Sequence, residues 1–132
     1  MKNALFAYQN TEKMSLTKES SANAVLIVIM EELIKCVQIF HSNIDIKTGN
    51  MEKKSRGFSK ALSIIFALQS SLDLEKGGQI ASDLFRLYEY TRIHLIKDMR
   101  RGIAMKSNNA LLSLQEIHLT WCTVANQKDS NA

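Results

Sequence analysis

Residues 71–90 read S-L-D-L-E-K-G-G-Q-I-A-S-D-L-F-R-L-Y-E-Y, and this stretch decides the fold. A glycine pair, Gly77 and Gly78, separates two segments that both have the apolar spacing of a helix. Glycine reaches positive φ at low cost, so the pair is expected to end one helix and let the chain reverse. Beyond the pair, one face of a second helix is formed by Ile80, Leu84, Leu87, Tyr88 and Thr91. The stretch therefore predicts a helical hairpin.

The composition favours long helices in one folded domain. The chain has 132 residues, no proline and only five glycines, and 45% of its residues are hydrophobic. Its longest apolar run, residues 24–30, is far shorter than the roughly 20 residues of a membrane span. No secretory signal is visible at the N-terminus. These features predict a cytoplasmic protein without a membrane span.

Hydrophobic periodicity outward from the hairpin predicts an all-α protein, an antiparallel up-down four-helix bundle with a flexible N-terminal arm. The predicted helices cover about residues 22–42, 51–72, 79–101 and 103–125. Three regions follow from this pattern: a flexible arm over residues 1–20, a bundle over residues 21–125 and a disordered tail over residues 126–132.

The first and last predicted helices carry the most distinctive patterns. The first is apolar nearly all round in its first half, so it is either the central helix or leaves a surface for something else. It then narrows to a stripe of Leu33, Val37, Phe40 and Ile44. The last helix has a heptad-like seam of Ile103, Ser107, Ala110, Leu114, Ile117, Trp121 and Val124, with Ser107 as its one polar member.

The sequence offers little for catalysis or cofactor binding. None of His41, His94 and His118 has the glutamate three residues earlier that a di-iron bundle uses, so all three are expected at the surface or an edge. No C-x-x-C-H haem motif and no G-x-S-x-G elbow occurs. Cys122 lies four residues after His118, but no oxyanion hole is evident nearby. We therefore expect no enzyme, no metal and no cofactor.

The net charge and the cysteines also give no indication of another chemical function. A net charge of +4 is mild, and the basic clusters lie near predicted helix ends, so nucleic acid is not an expected partner. Cys36 and Cys122 are expected to be buried thiols of a reducing cytosol. A helical binding module remains, in which a partner lays an apolar helix face into a groove. The open alternative is that all the apolar surface is internal core.

The opening stretch resembles the segment S-L-D-x-E-x-G-G-x-I-A-x-N-L-x-x-L-Y-D-Y of the flagellar secretion chaperone family FliS. Residues 60–65 resemble the K-A-x-x-I-I run of that family, and residues 112–121 resemble its closing helix, which ends near a tryptophan. The resemblance covers roughly residues 20–122. The family's S-P-x-E-L and M-L-Y-D-G pattern is replaced over residues 21–32, which indicates a divergent member or a paralogue.

The resemblance implies a cytoplasmic export chaperone. Such a protein binds the disordered C-terminal segment of flagellin, prevents its premature polymerisation and assists its export through the flagellar type III apparatus, whose components are further expected partners. The alternative is a helical adaptor for another export or regulatory protein. The expected partner-binding residues are Phe6 and Tyr8 as a displaceable lid, Val25, Ile29 and Met30 on the first helix, Leu62 and Ile65 on the second, and Leu84, Leu87 and Tyr88 on the third.

Overall fold

The computed structural model describes residues 16–130, and this part of the chain folds into four α-helices without a strand. The helices are α1 (Leu16–Ser42), α2 (Met51–Ser71), α3 (Gly78–Arg101) and α4 (Lys106–Ser130). Short connections join them, and α1 and α3 each pack against both α2 and α4. The predicted all-α four-helix bundle is confirmed.

The helix ends differ from those expected. α1 begins at Leu16 rather than near residue 22, and α4 begins at Lys106 and continues to Ser130, past the predicted end near residue 125. A helix can continue through polar residues that add nothing to its apolar periodicity. Helix ends predicted from the apolar pattern therefore make the helices too short. The boundaries of the arm and the tail stay predictions, and residues 1–15 lie outside the described residues.

The core is built from one apolar stripe on each helix. The predicted α1 stripe is buried from Leu33 to Ile44, and the predicted α4 seam is buried from Ser107 to Trp121. Ile103 precedes α4 and is 61% exposed, so the seam begins one step later than expected. The largest fully buried side chains come from α1, α3 and α4, and they are Phe40, Tyr88 and Trp121.

The turn between α2 and α3 explains the glycine-rich motif. The Asp73 carboxylate accepts hydrogen bonds from the backbone N–H groups of Glu75 and Lys76, at 3.1 and 2.9 Å. The Gly77 N–H donates to the Asp73 carbonyl at 2.8 Å, and Gly78 has φ of +56°. The glycine pair therefore opens α3, whereas α2 has already ended at Ser71, contrary to the expectation that the pair ends the preceding helix.

Gly57 sets the distance between α1 and α2. A Cβ at this position would lie 2.8 Å from the Cys36 carbonyl oxygen and 3.2 Å from the Phe40 nitrogen. Both atoms belong to the α1 backbone, which cannot rotate away as a side chain can. The two helices can approach this closely only because residue 57 has no side chain.

Gly57→Ala is expected to destabilise the bundle by about 1–3 kcal/mol, because overpacking outweighs the better helix propensity of alanine. Urea unfolding followed by circular dichroism measures the change. Ser59→Ala, an exposed site on the same helix, is the matched control and should leave the free energy of unfolding nearly unchanged. A Gly57→Ala protein as stable as wild type would contradict the steric argument.

A buried polar layer joins α1, α3 and α4 at the end of the bundle where α3 turns into α4. Asp98 is fully buried, and its Oδ2 accepts hydrogen bonds from the Met105 and Ser107 backbone N–H groups at 2.8 and 3.1 Å. The Ser107 hydroxyl donates to the same oxygen at 2.5 Å, and His41 Nε2 lies 2.7 Å from that hydroxyl. Asp98 thus caps the start of α4 from another helix.

The layer shifts the pKa values of both titratable members. Burial alone would raise the pKa of Asp98, but the hydrogen bonds from Ser107 and Met105 hold that pKa below its ordinary value. Burial lowers the pKa of His41, and the Asp98 charge offsets this only in part. The native state therefore favours an ionised Asp98 and a neutral His41.

Both shifts make the fold less stable in acid. The His41 contribution is complete above the ordinary histidine pKa of about 6.5 and is lost as pH falls below it, and the Asp98 contribution is lost below about 3.9. His41→Gln should reduce the dependence of the free energy of unfolding on pH between about 7 and 5. Ser59→Ala, an exposed substitution without a titratable group, is the control and should leave that dependence unchanged. Equal slopes for wild type and His41→Gln would contradict this assignment.

Candidate functional site

An open groove lies between α3 and α4. It has a volume of about 370 Å³ and is lined by Ile80, Asp83, Leu84, Leu87, Ser113, Glu116 and Ile117. The α3 residues follow one another at helical spacing, and so do the α4 residues, because each set forms one side of its helix beside the core stripe. The groove is therefore a continuation of the packed interface at the surface.

The groove has an apolar floor and an acidic rim. Leu84 and Ile117 are 4% and 6% exposed and form the floor, whereas Ile80 and Leu87 are half-buried and face the opening. The rim carries two exposed carboxylates, those of Asp83 and Glu116. This arrangement suits apolar side chains of a partner that carries positive charge beside them.

Of the expected partner-binding residues, Leu84 and Leu87 are brought together in this groove. Tyr88, Met30 and Ile65 are fully buried in the core, so they support the surface from inside the bundle. A fully buried side chain can contact a partner only if the helices separate.

The remaining expected residues lie away from the groove. Val25 is 52% exposed on α1, Ile29 is half-buried there, and Leu62 is half-buried on α2. None of these three residues belongs to the lining of the α3/α4 groove. Phe6 and Tyr8 fall outside the described residues, and their expected role as a lid stays a prediction.

Sequence reasoning missed two residues of the groove and several exposed apolar residues. The half-buried Ile80 and the buried Ile117 complete the groove lining, whereas the sequence pattern places them only on helix faces. Phe66 on α2 is 72% exposed, and Leu112 and Leu119 on α4 are 65% and 67% exposed. The signal for Leu112 and Leu119 was present, because the two residues lie seven apart and outside the buried seam.

The Cys–His pair of α4 has the wrong geometry for an activated nucleophile. Cys122 Sγ lies 3.7 Å from His118 Nε2, and Glu31 Oε2 lies 3.9 Å from the same nitrogen. A catalytic base needs one ring nitrogen for the nucleophile and the other for its orienting carboxylate. The thiol and the carboxylate here compete for one atom, so the ring cannot relay a proton between them.

The remaining observations concern the cysteines, possible metal ligands and membrane-spanning helices. Cys36 is buried as expected, Cys122 is only half-buried, and both are free thiols. Within the described range, no three His, Cys, Asp or Glu side chains cluster as a metal site would require. None of the helices between residues 16 and 130 is long and apolar enough to cross a membrane.

Comparison with known proteins places the chain among flagellar secretion chaperones. The family described as "Flagellar protein FliS" matches residues 1–128. The chain therefore belongs to the FliS family, which is a family of chaperones and not of enzymes.

Two curated relatives carry the name "Flagellar secretion chaperone FliS". The Vibrio cholerae protein is 25% identical over 121 residues, which cover 92% of this chain and 88% of the relative. The Salmonella typhimurium protein is 31% identical over 84 residues, which cover 63% of this chain and 62% of the relative. No solved structure matches the chain.

Proposed function

We propose that this flagellar export chaperone works in the cytoplasm, where it binds the disordered C-terminal segment of flagellin, prevents premature polymerisation and assists type III export. The proposal rests on membership of the FliS family together with the open α3/α4 groove. The groove is the single observation that carries the choice of binding surface, since a closed bundle would leave nowhere for a client to dock.

The groove suits a segment that folds as it binds. Ile80 and Leu87 present half-buried apolar surface above the floor, which a helix could cover with side chains at positions i, i+3 and i+7. A disordered client orders itself at the moment of binding, and this entropy cost keeps the affinity moderate for the area covered. A chaperone that must release its client at the export apparatus needs such an affinity.

The rim adds a preference for charge. Asp83 and Glu116 stand beside the apolar floor, and no basic residue lines the groove among the described side chains. A client with lysine or arginine next to its apolar anchors would meet complementary charge, which favours correct register and a faster encounter. The exposed apolar residues Phe66, Leu112 and Leu119 give a long client further surface to wrap.

Leu87→Asp should weaken flagellin binding by roughly ten- to a hundredfold, because it places a charge on the apolar wall of the groove. Isothermal titration against flagellin, with and without its C-terminal segment, measures the effect. Wild type should lose binding when the segment is removed.

Ile46→Asp is the matched control, since Ile46 is 79% exposed in the α1–α2 connection, away from the groove. It should bind flagellin as wild type does, and circular dichroism should show both variants folded. Full-strength binding by a folded Leu87→Asp protein would remove the groove from the proposal. Binding of flagellin that does not depend on its C-terminal segment would contradict the choice of client segment.

The N-terminal arm generates a separate prediction. If Phe6 and Tyr8 cover the client surface, removal of residues 1–15 should leave the melting temperature nearly unchanged and strengthen flagellin binding, because the client no longer displaces a lid. The double substitution of Phe6 and Tyr8 by serine should act in the same direction. Calorimetric binding that does not change in either protein would exclude the lid.

A further inference from the structure

A second groove lies between α1 and α2, on the side of the bundle opposite the α3/α4 groove. Its volume is about 480 Å³. The α2 wall carries Lys53, Arg56 and Lys60 at helical spacing, and the α1 wall carries Lys35 and Ile39. The two grooves share no lining residue.

The rim of the α1/α2 groove is basic. Four cations line it against a single carboxylate, that of Glu32. Lys60 pairs with Glu32 at 2.8 Å, and Arg56 pairs with Glu52 at 2.5 Å. Lys35 and Lys53 are exposed and form no ion pair with any described residue. Two cations, one on each wall, therefore remain for a ligand.

The groove between these cations has apolar surface at its centre. The α1 backbone occupies the position of a Cβ at Gly57, so the two walls touch there and close the bottom of the groove. Ile39 stands across from Gly57 and is 40% exposed. A ligand with an apolar centre and flanking negative charge matches this surface in both shape and sign.

We propose that the α1/α2 groove binds a short acidic, amphipathic helix of a partner protein, at a site separate from the α3/α4 groove proposed for flagellin. The occupant would place an apolar residue against the exposed face of Ile39 and carboxylates beside Lys35 and Lys53. This inference goes beyond the proposed function, because it gives the chaperone a second protein contact that can be made while the client is bound.

The surface favours an acidic peptide over nucleic acid. Nucleic-acid binding draws on a dense series of cations and on aromatic rings that stack with bases. Here two of the four cations are already paired, and none of the described residues that line the groove is aromatic.

The probe is a fluorescein-labelled peptide of leucine and glutamate at helical spacing, about 14 residues long, or roughly four helical turns. Fluorescence anisotropy with the full-length protein should show saturable binding that weakens as salt rises from roughly 50 to 300 mM, since exposed charges are screened. A peptide with lysine in place of glutamate should not bind this groove.

The variant Lys35→Glu/Lys53→Glu should weaken binding of the acidic peptide by roughly tenfold or more. The control Lys76→Glu/Lys97→Glu has the same net charge, changes exposed lysines outside the groove, and should bind within about twofold of wild type. Flagellin titrations should be the same for all three proteins. The peptide and flagellin measurements therefore test the two proposals independently. Either the α1/α2 groove or the α3/α4 groove can lose its proposed role while the other keeps it.

Three results would overturn the proposal. The acidic peptide could fail to bind wild type, or both charge-reversed proteins could lose binding equally, which would indicate general attraction to a basic protein. A single-stranded oligonucleotide of equal charge could bind more tightly than the peptide and lose binding in Lys35→Glu/Lys53→Glu alone, which would assign the groove to nucleic acid. Circular dichroism confirms that each variant is folded.

Discussion

Each helix of this protein carries an apolar stripe that must be covered, and no helix can cover its own. Burial of these stripes against one another is the constraint on which the rest of the structure depends. Phe40, Tyr88 and Trp121 fill the shared interior, and Gly57 lets α1 and α2 approach closely enough to close one side of it. This packing also sets the positions of the site residues. Each groove runs along the line where two packed helices separate at the surface.

Apolar contacts do not depend on orientation, so they do not by themselves set the register of the helices. At one end of the bundle, a layer of directional hydrogen bonds sets it. The fully buried Asp98 performs this role by capping the start of α4 and bonding Ser107, which in turn contacts His41 of α1. A buried carboxylate left without these donors would be costly, so the arrangement disfavours any alternative register of α3 and α4. Stability in acid and the geometry of the α3–α4 connection therefore depend on the same few atoms.

The two grooves differ in charge as well as position. The α3/α4 groove has an apolar floor between carboxylates, and the α1/α2 groove has apolar surface between cations. A bundle with opposite charge on opposite sides can hold two partners of opposite charge without competition between them. If both proposals hold, the chaperone retains its client on one surface and contacts a further protein on another.

The sequence by itself determined the helical class, the number of helices and the buried seam of α4, because apolar spacing directly reflects which face of a helix is covered. It also determined the family, through the motif in which Asp73 caps the turn and Gly78 adopts positive φ. Only the tertiary structure decided that Leu84 and Leu87 line an open groove while Ile65 and Met30 are interior. It likewise decided that Ser107, the one polar member of the predicted seam, is paired with Asp98. The physical reason is that periodicity identifies the apolar face of a helix but not where, along that face, a neighbouring helix leaves a gap.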